Sequence, residues 1–144
     1  MKSLAFWCIL IVIVALDSAS SYSGDLTYYT EWFGNYGSCG LERSKVDQFQ
    51  VAALSKKWMS GVQNSNNHPL CAADKCIRVD GLLGSVILKI SDTCMGCKDY
   101  DVDIADTVFP LLDNINLGRV PVTWNFVDCN SNSPGLVLVS TVSI

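Results

Sequence analysis

The chain has 144 residues, with 14 acidic and 10 basic side chains giving a net charge of −4. That length suits one compact domain rather than two, and an acidic chain with scattered lysines and arginines excludes nucleic acid as a partner, because phosphates reward clustered cations. Seven cysteines and a single histidine, His68, leave too few imidazoles for most metal centres and point instead to disulfides.

The first residues state the compartment. Met1 to Ser3 form a short cationic start, Leu4 to Leu16 is almost unbroken apolar, and Asp17 to Ser23 is small and polar with a cleavable Ala19-Ser20-Ser21 run. We read residues 1–21 as a secretory signal peptide; about 13 apolar residues fall short of the roughly 20 that span a bilayer. Its removal takes Cys8 away and leaves six cysteines, an even number that predicts three disulfides among 15 possible connectivities. The expected product is secreted, extracellular, monomeric and free of membrane segments.

Strand signals follow. Residues 25–33, "DLTYYTEWF", are rich in threonine and aromatics, and "GNYGSCG" after them is a glycine-punctuated loop. Residues 46–61 begin with alternation through Phe49 and Val51 and end in a helical turn near Trp58, closed by Gly61. "VQNSNNHPL" is a loop. Residues 76–92, "CIRVDGLLGSVILKISD", form the clearest hairpin: Ile77 and Val79 alternate with polar residues, Gly81 and Gly84 bracket the turn, and Val86, Leu88 and Ile90 resume the period of two. "DVDI" is a short strand, and "ADTVFPLLDNI" suits a helical turn or two that Pro110 limits. Residues 118–129 close the series with Val122, Trp124 and Phe126 on one face. Residues 130–144 form a C-terminal tail whose apolar part is a last strand or a frayed end. Many short strands with one or two short helices predict a small, mainly β barrel.

Between residues 91 and 109 lie Cys94-x-x-Cys97 and a run of aspartates, "SDTCMGCKDYDVDIADTVF". A thioredoxin-type site would start a helix at the first cysteine, whereas Gly96 and Lys98 to Tyr100 read as loop. Zinc lacks ligands, and a calcium loop lacks its glycine and terminal glutamate. No metal and no cofactor are expected. Asp99, Asp101 and Asp106 read as solvated loop charges, and Asp103 reads either as a helix cap or as a ligand group.

The ordered set "TYYT…GSCG", "VAAL", "NNHPLC", "VILKISDTCMGC", "DVDIADTVF" and "LGRVPVTWNF" resembles the expansin, barwin and RlpA-like superfamily, above all its small single-domain secreted members. The likeness covers about residues 24–129 and implies a six-stranded double-psi β-barrel, strapped by disulfides, with a groove across one face. It also implies site residues. Thr27 takes the threonine of the first strand, Asp92 the aspartate before the central cysteine, and Asp103 the aspartate of the family's H-F-D-L-S-x-x-x-F pattern, with Phe109 at its far end. The motif histidine is here Asp101, and the aromatic two residues after the first aspartate is Cys94.

If any bond is cleaved, Asp103 and Asp92 are the catalytic pair; inverting carboxyls stand about 6.5–9.5 Å apart and retaining ones about 5–5.5 Å. Thr27, Tyr29, Trp32, Tyr36, Tyr100 and Asp101 are the candidate ligand-binding residues, with flat rings available to stack on sugars. Tyr28 and Tyr29 must face opposite sides of their strand. We expect Cys94 and Cys97, set too close in sequence to bond without strain, to reach Cys39 and Cys71 and so pin the acidic loop, leaving Cys76 to Cys129. The resemblance implies binding of cell-wall polysaccharide or peptidoglycan without efficient hydrolysis. A secreted protein-binding module such as a cysteine-protease inhibitor, with a secreted protease as partner, or a host-interaction factor is the alternative, and a weak glycan-cleaving enzyme is a third.

Overall fold

The computed structural model of the protein describes residues 20–30, 37–42 and 50–131. Residues 1–19 of the leader, Trp32, Tyr36, residues 46–49 of the predicted alternation and the apolar tail from residue 132 onward lie outside the described residues.

Six strands close into a barrel: β1 (Tyr22–Tyr29), β2 (Val51–Ser55), β3 (Lys75–Asp80), β4 (Ser85–Cys94), β5 (Val102–Ala105) and β6 (Val120–Asp128), in the spatial order β1-β5-β2-β4-β3-β6. β1 pairs with β5, and β2 with β4, in parallel; the other four pairings are antiparallel. Closure leaves these strands no unpaired edge. The fold class is therefore as the sequence predicts, mainly β and barrel-shaped. Among the described residues the helical content is a single turn, α1 (Lys56–Met59), with 3-10 turns at Ser65–Asn67, Pro69–Cys71, Phe109–Leu111 and Ile115–Leu117. Pro110 sits inside the third of these and keeps it to one turn.

Alternation explains the core. Val86, Leu88 and Ile90 of β4, Val102 and Ile104 of β5, and Ala52 and Leu54 of β2 point inward with Leu26, Ile77, Val79 and the fully buried Trp124. The hairpin of residues 76–92 forms as read, with Asp80 opposite Ser85 and the Gly81 amide donating to the Gly84 carbonyl at 2.9 Å. Tyr28 and Tyr29 separate as the strand period demands: Tyr28 meets the buried Phe109 edge-on at 5.1 Å between ring centres, and Tyr29 shares the outward face of Thr27.

Three disulfides staple the barrel: Cys39–Cys71, Cys76–Cys129 and Cys94–Cys97. The second is the predicted bond. The prediction that Cys94 and Cys97 reach Cys39 and Cys71 is corrected. The intervening Met95-Gly96 forms a turn that brings the two Cα atoms to 5.4 Å, inside both the turn limit of about 7 Å and the span a disulfide bridges. The four-residue reversal supplies the geometry that a spacing argument denied it.

The acidic loop is therefore pinned by hydrogen bonds instead. The Asp99 carbonyl accepts from the Ser55 hydroxyl at 2.7 Å and the Trp58 indole at 2.9 Å, and the Tyr100 carbonyl accepts from the Trp124 indole at 2.8 Å. Asp101, expected in solvent, is 4% exposed. Its carboxylate accepts from the Asp25 amide at 3.0 Å, the Lys98 amide at 3.2 Å and the Arg119 guanidinium at 2.9 Å, so burial is compensated by three donors.

Candidate functional site

Strand registry assembles the site. Thr27 of β1 stands opposite Asp103 of β5, Asp103 opposite Ala53 of β2, and Ala53 opposite Asp92 of β4. Directly paired residues share a face, so these four form a row across four strands on the outside of the barrel. With strands about 4.8 Å apart, Asp103 and Asp92 stand two strand spacings, roughly 9–10 Å, from one another. Ala53 between them carries only a methyl group, which leaves a floor flanked by two acids.

A strict period of two would not put Asp92 there. It would follow Val86, Leu88 and Ile90 into the core. A bulge intervenes: Ala52 pairs with Ile90, but Ala53 pairs with Asp92, and Ser91 is left over. The extra residue reverses the phase of the strand, so Asp92 faces out and the Ser91 side chain is buried, its hydroxyl 3.4 Å from the Ala52 carbonyl.

Over this row lies an open cavity of about 630 Å³, whose lining includes Thr27, Tyr29, Ala53, Asp92, Asp103 and Arg119. The Cys94–Cys97 turn and Met95 complete one wall. The Thr27 hydroxyl donates to an Asp103 carboxylate oxygen at 2.7 Å. Burial pushes the Asp103 carboxyl above the ordinary aspartate range, against the Thr27 hydrogen bond and the positive charge of Arg119, which favour its ionised form. Asp92 is held differently, one oxygen accepting from the Ser38 amide at 2.8 Å and from the Thr93 amide at 2.7 Å. Burial, and then the negative charges of Asp103, Asp92 and Asp106, keep the Tyr29 phenol protonated far beyond its usual range. It is a hydroxyl donor at every physiological pH.

The structure thus brings Thr27, Tyr29, Asp92 and Asp103 together. Tyr100 and Asp101 are elsewhere. The Tyr100 ring stacks on Tyr22 at 5.8 Å and carries the Lys57 ammonium 4.0 Å above its centre, in an aromatic cluster with Trp58, Trp124 and Phe126. Asp101 reaches the cavity only through Arg119, whose guanidinium it shares with Asp25. Burial raises the Asp101 carboxyl, but the Arg119 hydrogen bond and the Asp25 and Lys98 amides outweigh it and hold the group below the ordinary range.

Ala53 and Arg119 are cavity residues that sequence reasoning passed over. Ala53 carries no chemistry of its own and matters only because of the two acids beside it. Arg119 had one available signal, an arginine between the turn glycine Gly118 and the start of β6; Gly118 has φ +69°, the left-handed conformation that glycine adopts without strain.

A closed six-stranded barrel with mixed parallel and antiparallel pairings, carrying an acidic groove across β1, β5, β2 and β4, is the double-psi β-barrel fold of the RlpA-like and barwin-like proteins. Solved structures with this fold bear it out. The Streptomyces papain inhibitor is similar at 28% identity with a TM-score of 0.63, covering 75% of this chain and 94% of that one. A variant of the Clavibacter michiganensis expansin in complex with cellohexaose aligns at 23% identity and a TM-score of 0.58 over 79% of this chain, which spans 54% of that expansin. Cerato-platanin 2 from M. perniciosa aligns at 18% identity and a TM-score of 0.53, over 74% of this chain and 94% of its own. No family profile and no curated protein sequence matches the chain.

Proposed function

We propose that this is a secreted protein that binds cell-wall or other extracellular polysaccharide in the groove, without efficient hydrolysis. The observation that carries the reading is the row Thr27–Asp103–Ala53–Asp92. It offers a floor between spaced acceptors, with Tyr29 lining the same cavity as a hydroxyl donor, a pattern that suits the alternating hydroxyls of an extended sugar chain. The expansin bound to cellohexaose has the same barrel, which supports an oligosaccharide as occupant. The leader pattern and the three disulfides support export.

The arrangement of the acids suits binding. Asp92 is held by two backbone amides through one oxygen and keeps the other to accept from a ligand hydroxyl. Asp103 has one oxygen occupied by Thr27 and the other available to accept from a ligand hydroxyl. We infer a binding role for Thr27, Tyr29, Asp92 and Asp103, with Trp32 and Tyr36 as proposed additional rings, in a domain of residues 24–129 after removal of residues 1–21.

Retention on insoluble cellulose, chitin and peptidoglycan tests this directly. The protein should be held by at least one polymer, and Asp103→Ala should reduce retention about tenfold or more, the loss of a charge-assisted hydrogen bond. Release of new reducing ends, abolished by Asp103→Asn, would replace binding with catalysis. A second reading, a protein-binding module that blocks a cysteine protease, is favoured by one finding, the 28% identity to the papain inhibitor over almost that protein's full length. Stoichiometric inhibition of papain with no retention on any glycan would select it.

A further inference from the structure

We propose that the Cys94–Cys97 disulfide is a site of reversible thiol–disulfide exchange with an external dithiol, set in the wall of the groove. Three observations converge on this bond and on neither of the others. It closes a loop with a sequence separation of 3, against 32 for Cys39–Cys71 and 53 for Cys76–Cys129. A cross-link stabilises the fold by an amount that rises with the logarithm of loop length, so losing this bond costs the barrel least and leaves it folded. It is also the more accessible one: Cys39, Cys71 and Cys76 are buried and Cys129 is half-buried, whereas here both partners, Cys94 and Cys97, are half-buried, around a turn in which Met95 is 69% exposed. A methyl group built on Gly96 would meet nothing within 4 Å, so the turn stands in open space where an attacking thiolate can line up with the sulfurs.

Position supplies the consequence. Both cysteines line the cavity. Cys94 is the last residue of β4, two positions beyond Asp92, and Cys97 precedes Lys98, whose amide is anchored on Asp101. Opening the bond leaves those two anchors in place and frees only the turn between them, so the groove wall loosens while the barrel stands. In the exchange, a thiolate of the dithiol attacks one of the two sulfurs and the S–S bond breaks. A mixed disulfide forms and the displaced thiolate takes up a proton. The second thiol of the dithiol then attacks the mixed disulfide and leaves as its own intramolecular disulfide. Two electrons pass to Cys94 and Cys97, which are reduced, and the dithiol is oxidised.

The test is a dithiothreitol titration of the folded, processed protein, trapped by alkylation and read by peptide mass mapping. Cys94 and Cys97 should become labelled together at about a tenth or less of the concentration that opens the other two bonds, because exposed disulfides are the more readily reduced. At that point circular dichroism should be unchanged, amide exchange should rise only over residues 93–98, and oxidised glutathione should restore the bond. The double variant Cys94→Ser, Cys97→Ser should lack the first step and keep the second. Simultaneous labelling of all six cysteines, earlier labelling of either other pair, or unfolding of the wild-type barrel as Cys94 and Cys97 open would each overturn the proposal. None of these readouts depends on a glycan or a protease.

Discussion

Replacing Asp101 by alanine should destabilise the barrel by about 2–4 kcal/mol, although this aspartate belongs to a run that reads as loop. Its carboxylate accepts from the Asp25 and Lys98 amides and from Arg119. Hydrogen bonds to a charged group are worth roughly 1.5–3 kcal/mol each. The two amide bonds therefore dominate, while the Arg119 side chain is 47% exposed and its share is discounted to below about 1 kcal/mol. Water entering the vacated space recovers part of the total. With a urea dependence of about 1–1.5 kcal/mol/M for a domain of this size, the unfolding midpoint should fall by roughly 2 M. Fluorescence of Trp124, whose indole donates to the carbonyl next to residue 101, is the natural probe. Asp99→Ala is the control: its side chain is 70% exposed and pairs only with Lys57, so its cost should stay within about 0.5 kcal/mol. The pH dependence has a definite sign. The Asp101 carboxyl titrates below its unfolded value of about 3.9, so its contribution is complete above about pH 4 and disappears as pH falls through the folded value. Asp101→Asn should remove that part of the acid slope. A midpoint for Asp101→Ala within 0.3 M or so of wild type, or an acid slope unchanged in Asp101→Asn, would refute the reasoning.

Three further outcomes follow from the geometry. Ala53→Leu should place a bulky side chain between Asp103 and Asp92, lowering glycan retention about tenfold or more with a melting temperature within a few degrees of wild type; unaltered retention would move the binding surface off this row. Asp103→Asn should raise the melting temperature at pH 7, because burial holds that carboxyl above its unfolded value and ionisation at neutral pH therefore opposes folding. The gain should shrink as pH falls toward the ordinary aspartate value, and differential scanning calorimetry across pH 4–7 reads it. Gly24→Ala should cost about 3 kcal/mol or more, or prevent folding, since its new methyl would be driven into the Tyr100 carbonyl; soluble yield and urea unfolding decide this.

The hairpin of β3 and β4 was legible because Ile77, Val79, Val86, Leu88 and Ile90 alternate without a break and Gly81 and Gly84 mark the reversal. Thr27, Asp92 and Asp103 of the groove were legible through the family resemblance, and the strand period agrees for two of them. Asp103 keeps the alternation of its own strand, outward between the inward-facing Val102 and Ile104, and Thr27 stands opposite it in register. Arg119 and Ala53 escaped notice because their importance lies wholly in their neighbours.

By itself the sequence determined the class of fold, the faces of most strands and the bond from Cys76 to Cys129. These rest on local chemistry, the period of two and the turn residues, or on the need to hold a small barrel closed. Tertiary structure alone decided three things. The bulge at Ser91 turns Asp92 from the core into the groove; the Met95-Gly96 turn joins Cys94 to Cys97; and donors from Asp25, Lys98 and Arg119, brought together by barrel closure, bury Asp101. In each case a neighbour distant in sequence, or a backbone reversal, overrules the local pattern, because strand register and the pairing of buried charges are settled only when the whole barrel closes.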